Sequence, residues 1–331
     1  LYDSNDPDTL ECHALLMKFA GVDGAIIDWY GIRKFRDYAE IHRNTLHFVK
    51  HLKRAGLQFA ICYEDQTVRH MIEGKALPRQ EALAHGKKVM RWLDQNWFAD
   101  KSYLRMAGRP ALFVFGPQYY QKRQWESLLT GLSNRPLFLA LPHMTSKAGA
   151  DGSFGWPPVH GGRKVKSSEW GQYLKDLHAR GAKGEPIVSV AFPGFHDFYQ
   201  EAGVHDSYGF IDARKGKTLE ESLELAWRSE ARIIQVATWN DFGEGTMIEP
   251  TQSGAYQSLE IIQKKVKPKN LRPDDLRLPV LLYQLKKKHA RNAKVMKELQ
   301  ESTNLLFAGK CDAAQGMLEK LASEAIPKLN P

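Results

Sequence analysis

Apolar residues in this chain fall into short continuous runs, separated by longer stretches where they recur every three or four positions. The runs are "DGAIIDWYG", "LQFAICYEDQT", "RPALFVFG", "PLFLALP", "PIVSVAFPG" and "RIIQVATWNDFG". A short apolar run bounded by turn residues predicts a strand buried on both faces. The stretches between predict helices. In "SNDPDTLECHALLMKFAG", Asp6 can cap the N-terminus, Pro7 suits the first helical position and Gly21 can end the helix. Residues 37–55 place Ile41, Phe48, Val49 and Leu52 on one face, and Gly56 follows. Further helices are expected over residues 79–96 and in "WESLLTGL", "SSEWGQYLKDLHARG" and "TLEESLELAWRSE".

Six strands alternating with helices predict a parallel sheet covered by helices, an α/β fold. No Gly-rich phosphate fingerprint follows any strand, which argues against a nucleotide-binding doubly wound sheet. A (β/α)8 TIM-type barrel needs roughly 250 residues, and residues 1–262 are expected to form one. Two strands are wanting. The first is expected before Leu1, and the other as an irregular strand between 141 and 187 or between 198 and 218. Past residue 262 the pattern changes. "KKVKPKNLRPDD" is a basic, Pro-containing linker, so residues 263–331 are expected to form a linker and a small C-terminal helical extension. Two helices are expected there, near 274–289 and 291–325, with Leu299, Leu305, Leu306, Met317 and Leu321 on their apolar faces.

Composition adds limits. The 331 residues are 43% apolar and 26% charged, ordinary for a globular chain. No apolar run approaches the roughly 18 residues of a membrane span, and no signal-peptide pattern is read. Cys12, Cys62 and Cys311 stand at no CxxC spacing, so zinc and dithiol redox chemistry are not expected. No metal and no cofactor are expected. The net charge of +9 invites a nucleic-acid reading, but 15 Lys and Arg against 7 Asp and Glu lie from Lys264 onward, so the main body is nearly neutral. Those lysines are read as a solvated face, and no nucleic-acid partner is expected.

The candidate chemistry sits where the strands end, which is where barrels of this class build their active sites. "GAIIDWYG" ends in Asp28, Trp29 and Tyr30, and "FAICYEDQT" in Glu64 and Asp65. "LFLALPHM" ends in His143, and "SVAFPGFHD" is followed by His196 and Asp197. The stretch "RIIQVATWNDFGEGTMIEP" runs into Trp239, Asn240, Asp241, Glu244 and Glu249. Asp and Gly also make ordinary turns, but a plain loop does not explain Trp239 beside Asn240 or Glu244 between two glycines. Aromatic rings can stack on the apolar face of a sugar, and carboxylates and amides can hold its hydroxyls. Two carboxyl groups at one glycosidic bond supply acid and base or nucleophile. Trp156, in "DGSFGWPP", is a candidate to close over such a substrate.

These residues resemble a known group. "WNDFGEGTMIEP" is similar to the strand-end motif of glycoside hydrolase family 99, the endo-α-mannosidase type, and to that of family 71, the α-1,3-glucanase type. "YDSNDPDTLECHALLMKFAGVDGAIIDWYG" is similar to the first helix and second strand of the same group, so the resemblance covers roughly residues 2–262. It implies an enzyme cleaving an α-linked oligosaccharide or polysaccharide, secreted or periplasmic. It implies Glu244 as acid/base and Asp241 as the carboxylate that, in the mannosidases, takes a proton from the sugar 2-hydroxyl. Asp28, Trp29, Tyr30, Glu64, His143, His196, Trp239, Asn240 and Glu249 are the expected substrate-binding residues. The departure from family 99 is at Asp241, where those enzymes carry Glu, one methylene longer. A barrel that binds carbohydrate without cleaving it is the alternative that this departure raises.

Overall fold

The computed structural model describes residues 2–324. Helix α1 (Pro7–Ala20) starts and stops where its caps require. The Asp6 carboxylate accepts the N–H groups of Asp8 at 2.9 Å and Thr9 at 3.2 Å, and Gly21 closes the helix in the left-handed conformation.

From there strands and helices alternate: β1 (Gly24–Trp29), α2 (Tyr38–Ala55), β2 (Gln58–Tyr63), α3 (Gln66–Glu73) and α4 (Ala82–Leu93). A two-residue β3 (Arg105–Met106) turns back along β4 (Arg109–Val114), and α5 (Lys122–Leu129), β5 (Leu137–Ala140) and the single turn α6 (Thr145–Ala148) follow. Next come β6 (Gly152–Phe154), α7 (Ser167–Ala182), β7 (Ile187–Ala191), a hairpin of β8 (Phe195–His196) with β9 (Phe210–Ile211), α8 (Lys217–Trp227) and β10 (Ile234–Val236). Helices α9 (Gln257–Val266), α10 (Leu278–His289), α11 (Ala293–Phe307) and α12 (Cys311–Glu324) complete the described chain. None of the described helices is long and apolar enough to cross a membrane.

The seven parallel strands lie in the order β1-β2-β4-β5-β6-β7-β10, so neighbours in sequence are neighbours in space and the sheet nearly closes into a (β/α) barrel. The register places Ile61 beside Leu112, Ala111 beside Leu137, Ser153 beside Ile187 and Ile234 beside Ser189. Strands β5 and β7 are buried at every position, as a sheet covered on both faces demands, whereas β1 and β10, at the two ends of the order, are mostly half-buried. All six strands read from the apolar runs are present. The irregular seventh lies inside the 141–187 window as β6, and it is three residues long. Its Gly152 explains why it carries so little strand signal. A Cβ there would lie 2.1 Å from the Pro186 carbonyl oxygen, so the close approach of the neighbouring chain requires glycine.

The described residues divide into two compact units, one of residues 2–25, 43–58 and 262–324 and the other of Ile26–His42 and Phe59–Ile261. The first holds α1 and the C-terminal helices. Those number three in the described residues where two were expected, because a turn at Gly309 in the left-handed conformation (φ 71°) separates α11 from α12. The basic α10 meets an acidic partner here. The Lys286 ammonium bonds to Glu11, which Arg54 also engages at 3.2 Å, and Lys287 bonds to Asp6 and Asp8. Both members of the Lys286–Glu11 pair are buried.

Candidate active site

The second unit carries the polar strand ends. At the end of β1, successive side chains point to opposite faces. Asp28 is exposed to solvent, while the protein atoms around it are close enough to push its carboxyl up. Trp29, its neighbour, is fully buried. It stacks on Trp92 with centroids 5.7 Å apart, meets Trp97 edge-on at 5.5 Å, and its indole N–H donates to His42 Nδ1 at 3.2 Å. Tyr30 returns to the cleft side, where its hydroxyl bonds to Asp28.

At the end of β2, Glu64 and Asp65 divide the work. Asp65 is fully buried and accepts three backbone N–H groups, from Gln118 at 2.7 Å, Tyr119 at 3.0 Å and Tyr120 at 2.9 Å. It anchors the loop after β4. Glu64 is held from one side by the Gln66 amide at 2.6 Å and feels the charges of Asp28 and Glu244.

The turn after β10 is folded on itself. Asp241 N–H donates to the Thr238 hydroxyl at 3.1 Å, and that hydroxyl lies 2.8 Å from the hydroxyl of Thr246. Thr238 N–H donates to Thr246 O at 3.0 Å, and Glu249 N–H to Trp239 O at 3.1 Å. Asp241 Oδ1 accepts the N–H of Glu244 at 2.8 Å, which fixes the two carboxylates in one turn. The chain then passes close to β8, where His196 N–H donates to Glu244 O at 2.9 Å. Gly245 makes that pass possible: its φ is 63°, and a Cβ there would lie 2.6 Å from the His196 carbonyl oxygen. Gly245→Ala should therefore displace the turn, lowering both the melting temperature and any turnover. An unchanged melt and rate would show that the turn yields freely.

The charges interlock. Burial pushes Glu244 up to about 8, helped by the like charges of Asp241, Asp197 and Asp28. Burial likewise raises Glu64, which the Asp28 charge pushes further, and raises Asp28, whose ionisation the Asp241 charge opposes. Both carboxyls hold their protons more tightly than an ordinary carboxylate. Oε2 of Glu244 is shielded from solvent and has no hydrogen-bond partner, and the same holds for Oδ1 of Asp197, a residue only 4% exposed. The described carboxylates form no group able to hold a metal ion.

The structure thus brings Asp28, Tyr30, Glu64, Asp241 and Glu244 into mutual influence. The other expected residues have these surroundings. Trp29 belongs to the aromatic core. His143 is exposed in the turn after β5, and His196 is exposed with its ring edge-on to Phe210 at 5.2 Å. Trp239 is half-buried, Asn240 is exposed and Glu249 is buried at the foot of the turn. Trp156 packs edge-on against Phe115 at 5.0 Å, and its backbone N–H donates to the Tyr173 hydroxyl at 3.1 Å. Two residues absent from the expectations join the cluster: Tyr199 and Tyr208 both feel the charge of Glu244.

No family model and no curated protein matches the sequence. Solved structures do match. An endo-α-mannosidase of family GH99 from Bacteroides thetaiotaomicron, in complex with bis-tris propane, superposes with a TM-score of 0.60 over 80% of this chain and 86% of that one, at 15% identity. The chain folds like a GH99 endo-α-mannosidase. A second GH99 structure from the same organism gives a TM-score of 0.57 at 18% identity, covering 80% of this chain and 81% of the other. A glycoside hydrolase-like protein gives 0.56 at 12% identity, with 80% and 87% covered. At these identities the GH99 likeness is one of fold. It agrees with the resemblance read from "WNDFGEGTMIEP", whose carboxylates stand at the C-terminal end of β10.

Proposed function

We propose that this protein is a glycoside hydrolase that cleaves an α-linked glycan, with Glu244 as general acid/base and Asp241 as its carboxylate partner. The observation that carries this reading is Glu244 itself. A half-buried carboxyl raised to about 8 by its surroundings holds a proton at neutral pH and can deliver it to a glycosidic oxygen. In this reading Asp241 acts on the sugar itself, and its remaining oxygen Oδ2 is the one that faces the reaction, since Oδ1 is engaged by Glu244 N–H. Asp28 and Glu64 hold hydroxyls. A protonated carboxyl both donates and accepts, which suits the paired hydroxyls of a pyranose.

The second reading, a barrel that binds the glycan without cleaving it, draws support from that same engagement of Asp241, whose side chain is both short and tied to the turn. Hydrolysis separates the two. Incubated with α-mannans and α-glucans, the protein should release new reducing ends, and kcat/KM should fall as pH rises past about 8, because the acid is competent only while Glu244 is protonated. Affinity for a glycan with no reducing ends released from it would favour the binding reading.

A further inference from the structure

The hairpin of β8 and β9 closes through residues 197–209, and this loop is fastened beside the carboxylates at its base. Asp197 Oδ2 accepts the N–H of Tyr208 at 2.8 Å, drawing the two ends of the loop together. Phe198 N–H donates to Gly243 O at 3.3 Å, next to the His196 bond to Glu244 O. The loop is thereby clipped to residues 243–244 of the turn that bears the acid. Above this base stands an aromatic group. The rings of Tyr199 and His205 lie 4.4 Å apart at 36°, those of His205 and Tyr208 4.8 Å apart at 42°, and those of Tyr199 and Tyr208 5.6 Å apart at 73°.

This group is not core. Residues 201–206 are all exposed, Tyr208 is 47% exposed and Phe198 is 44% exposed. Large apolar rings left in water beside a polar cleft are a feature that asks for a ligand. Their position indicates which one. A general acid protonates the leaving oxygen, so whatever flanks it faces the departing group. The Tyr199 hydroxyl is 3.7 Å from where a Cβ on Gly243 would be, next to Glu244 in the chain. Tyr208 is bonded through its N–H to Asp197, the residue after His196, whose own N–H bonds to Glu244 O.

We propose that Tyr199, His205 and Tyr208 form the platform on which the departing sugar stacks, so that the substrate is an oligosaccharide or polysaccharide whose leaving group is itself a sugar. The inference rests on the hydrolase reading above and adds the chemistry of the leaving-group side. Rings of tyrosine and imidazole offer flat apolar faces to the C–H face of a pyranose, and the tyrosine hydroxyls stand at the ring edges to meet its hydroxyls, while Nδ1 of His205 is engaged by the Asp206 carbonyl oxygen at 2.6 Å. Asp197, buried beneath, holds the platform in register with Glu244.

The test compares two substrates carrying the same glycone: the glycan that the protein cleaves, and the corresponding α-glycosyl fluoride, whose leaving group needs neither a sugar platform nor acid help. Tyr208→Ala and His205→Ala should each lose about tenfold or more in kcat/KM on the glycan, as expected for truncating an aromatic anchor, and should lose far less on the fluoride. Tyr208→Phe keeps the ring and should keep the glycan rate. Melting curves of each variant establish that the fold is intact, since both side chains are exposed. Equal losses on the two substrates, or no loss on either, would overturn the platform while leaving the hydrolase reading standing. A wild-type protein that cleaves neither substrate would overturn the hydrolase reading itself.

Discussion

Glu244→Gln should reduce turnover of an unactivated α-linked glycan by about 10²–10⁴-fold while leaving the fold and glycan affinity in place. The amide keeps the shape of the side chain and cannot give up a proton to the glycosidic oxygen. The loss should shrink when the leaving group needs no protonation. A glycosyl fluoride or an activated aryl glycoside should therefore recover much of the rate. Stability should move the other way. The folded pKa of Glu244 is raised to about 8 from an ordinary carboxylate value, so the cost of ionising it grows as pH climbs between the two. Gln carries no such cost. At pH near 8 the variant should melt no lower than the parent protein, and a clear drop would mean that the carboxyl is a structural support and not a strained functional group.

Asp241→Asn should cost a similar factor, on the order of 10²–10⁴, with a different signature. Asn retains the oxygen that accepts the Glu244 N–H, so the turn should stay folded. What is lost is the negative charge. No choice of leaving group should rescue this variant, because the missing group acts on the sugar and not on the departing oxygen. Removing a like charge also stabilises the ionised form of its neighbour. Asp241 follows only burial among the causes that raise Glu244. The residual activity of Asp241→Asn should accordingly fail at a lower pH than that of the parent. An alkaline limb that stays near 8 would show that the two carboxylates do not interact as described.

Much of this was legible in the chain. The apolar runs announced six strands because a covered parallel sheet needs apolar side chains on both faces. The seventh was illegible because its close neighbours demand small residues: "GSF" has no run to detect, and Gly152 is there for space. Asp6, Pro7 and Gly21 marked one helix fully, whereas the break between α11 and α12 rested on Gly309 alone. At the site, Asp28, Glu64, Asp241 and Glu244 were readable from their place at strand ends. The alternation of a strand already held the fate of Trp29, since a residue next to a cleft-facing Asp28 must face the other way. Tyr199 and Tyr208 were hidden for a different reason. They sit in a loop without period, and long-range bonds bring them to the acid: Tyr208 N–H to the Asp197 carboxylate, and Phe198 N–H to Gly243 O.

The proposed hydrolase must add water across a glycosidic bond at this cluster. Incubating the protein with α-linked glycans in heavy-oxygen water, and weighing the products by mass spectrometry, reads that step directly. The prediction is a shorter glycan carrying one heavy oxygen at its new reducing end, formed by the parent protein and lost in both Glu244→Gln and Asp241→Asn. Labelled fragments that persist undiminished in both variants, or a glycan that binds at the cleft and is recovered whole and unlabelled, would contradict it.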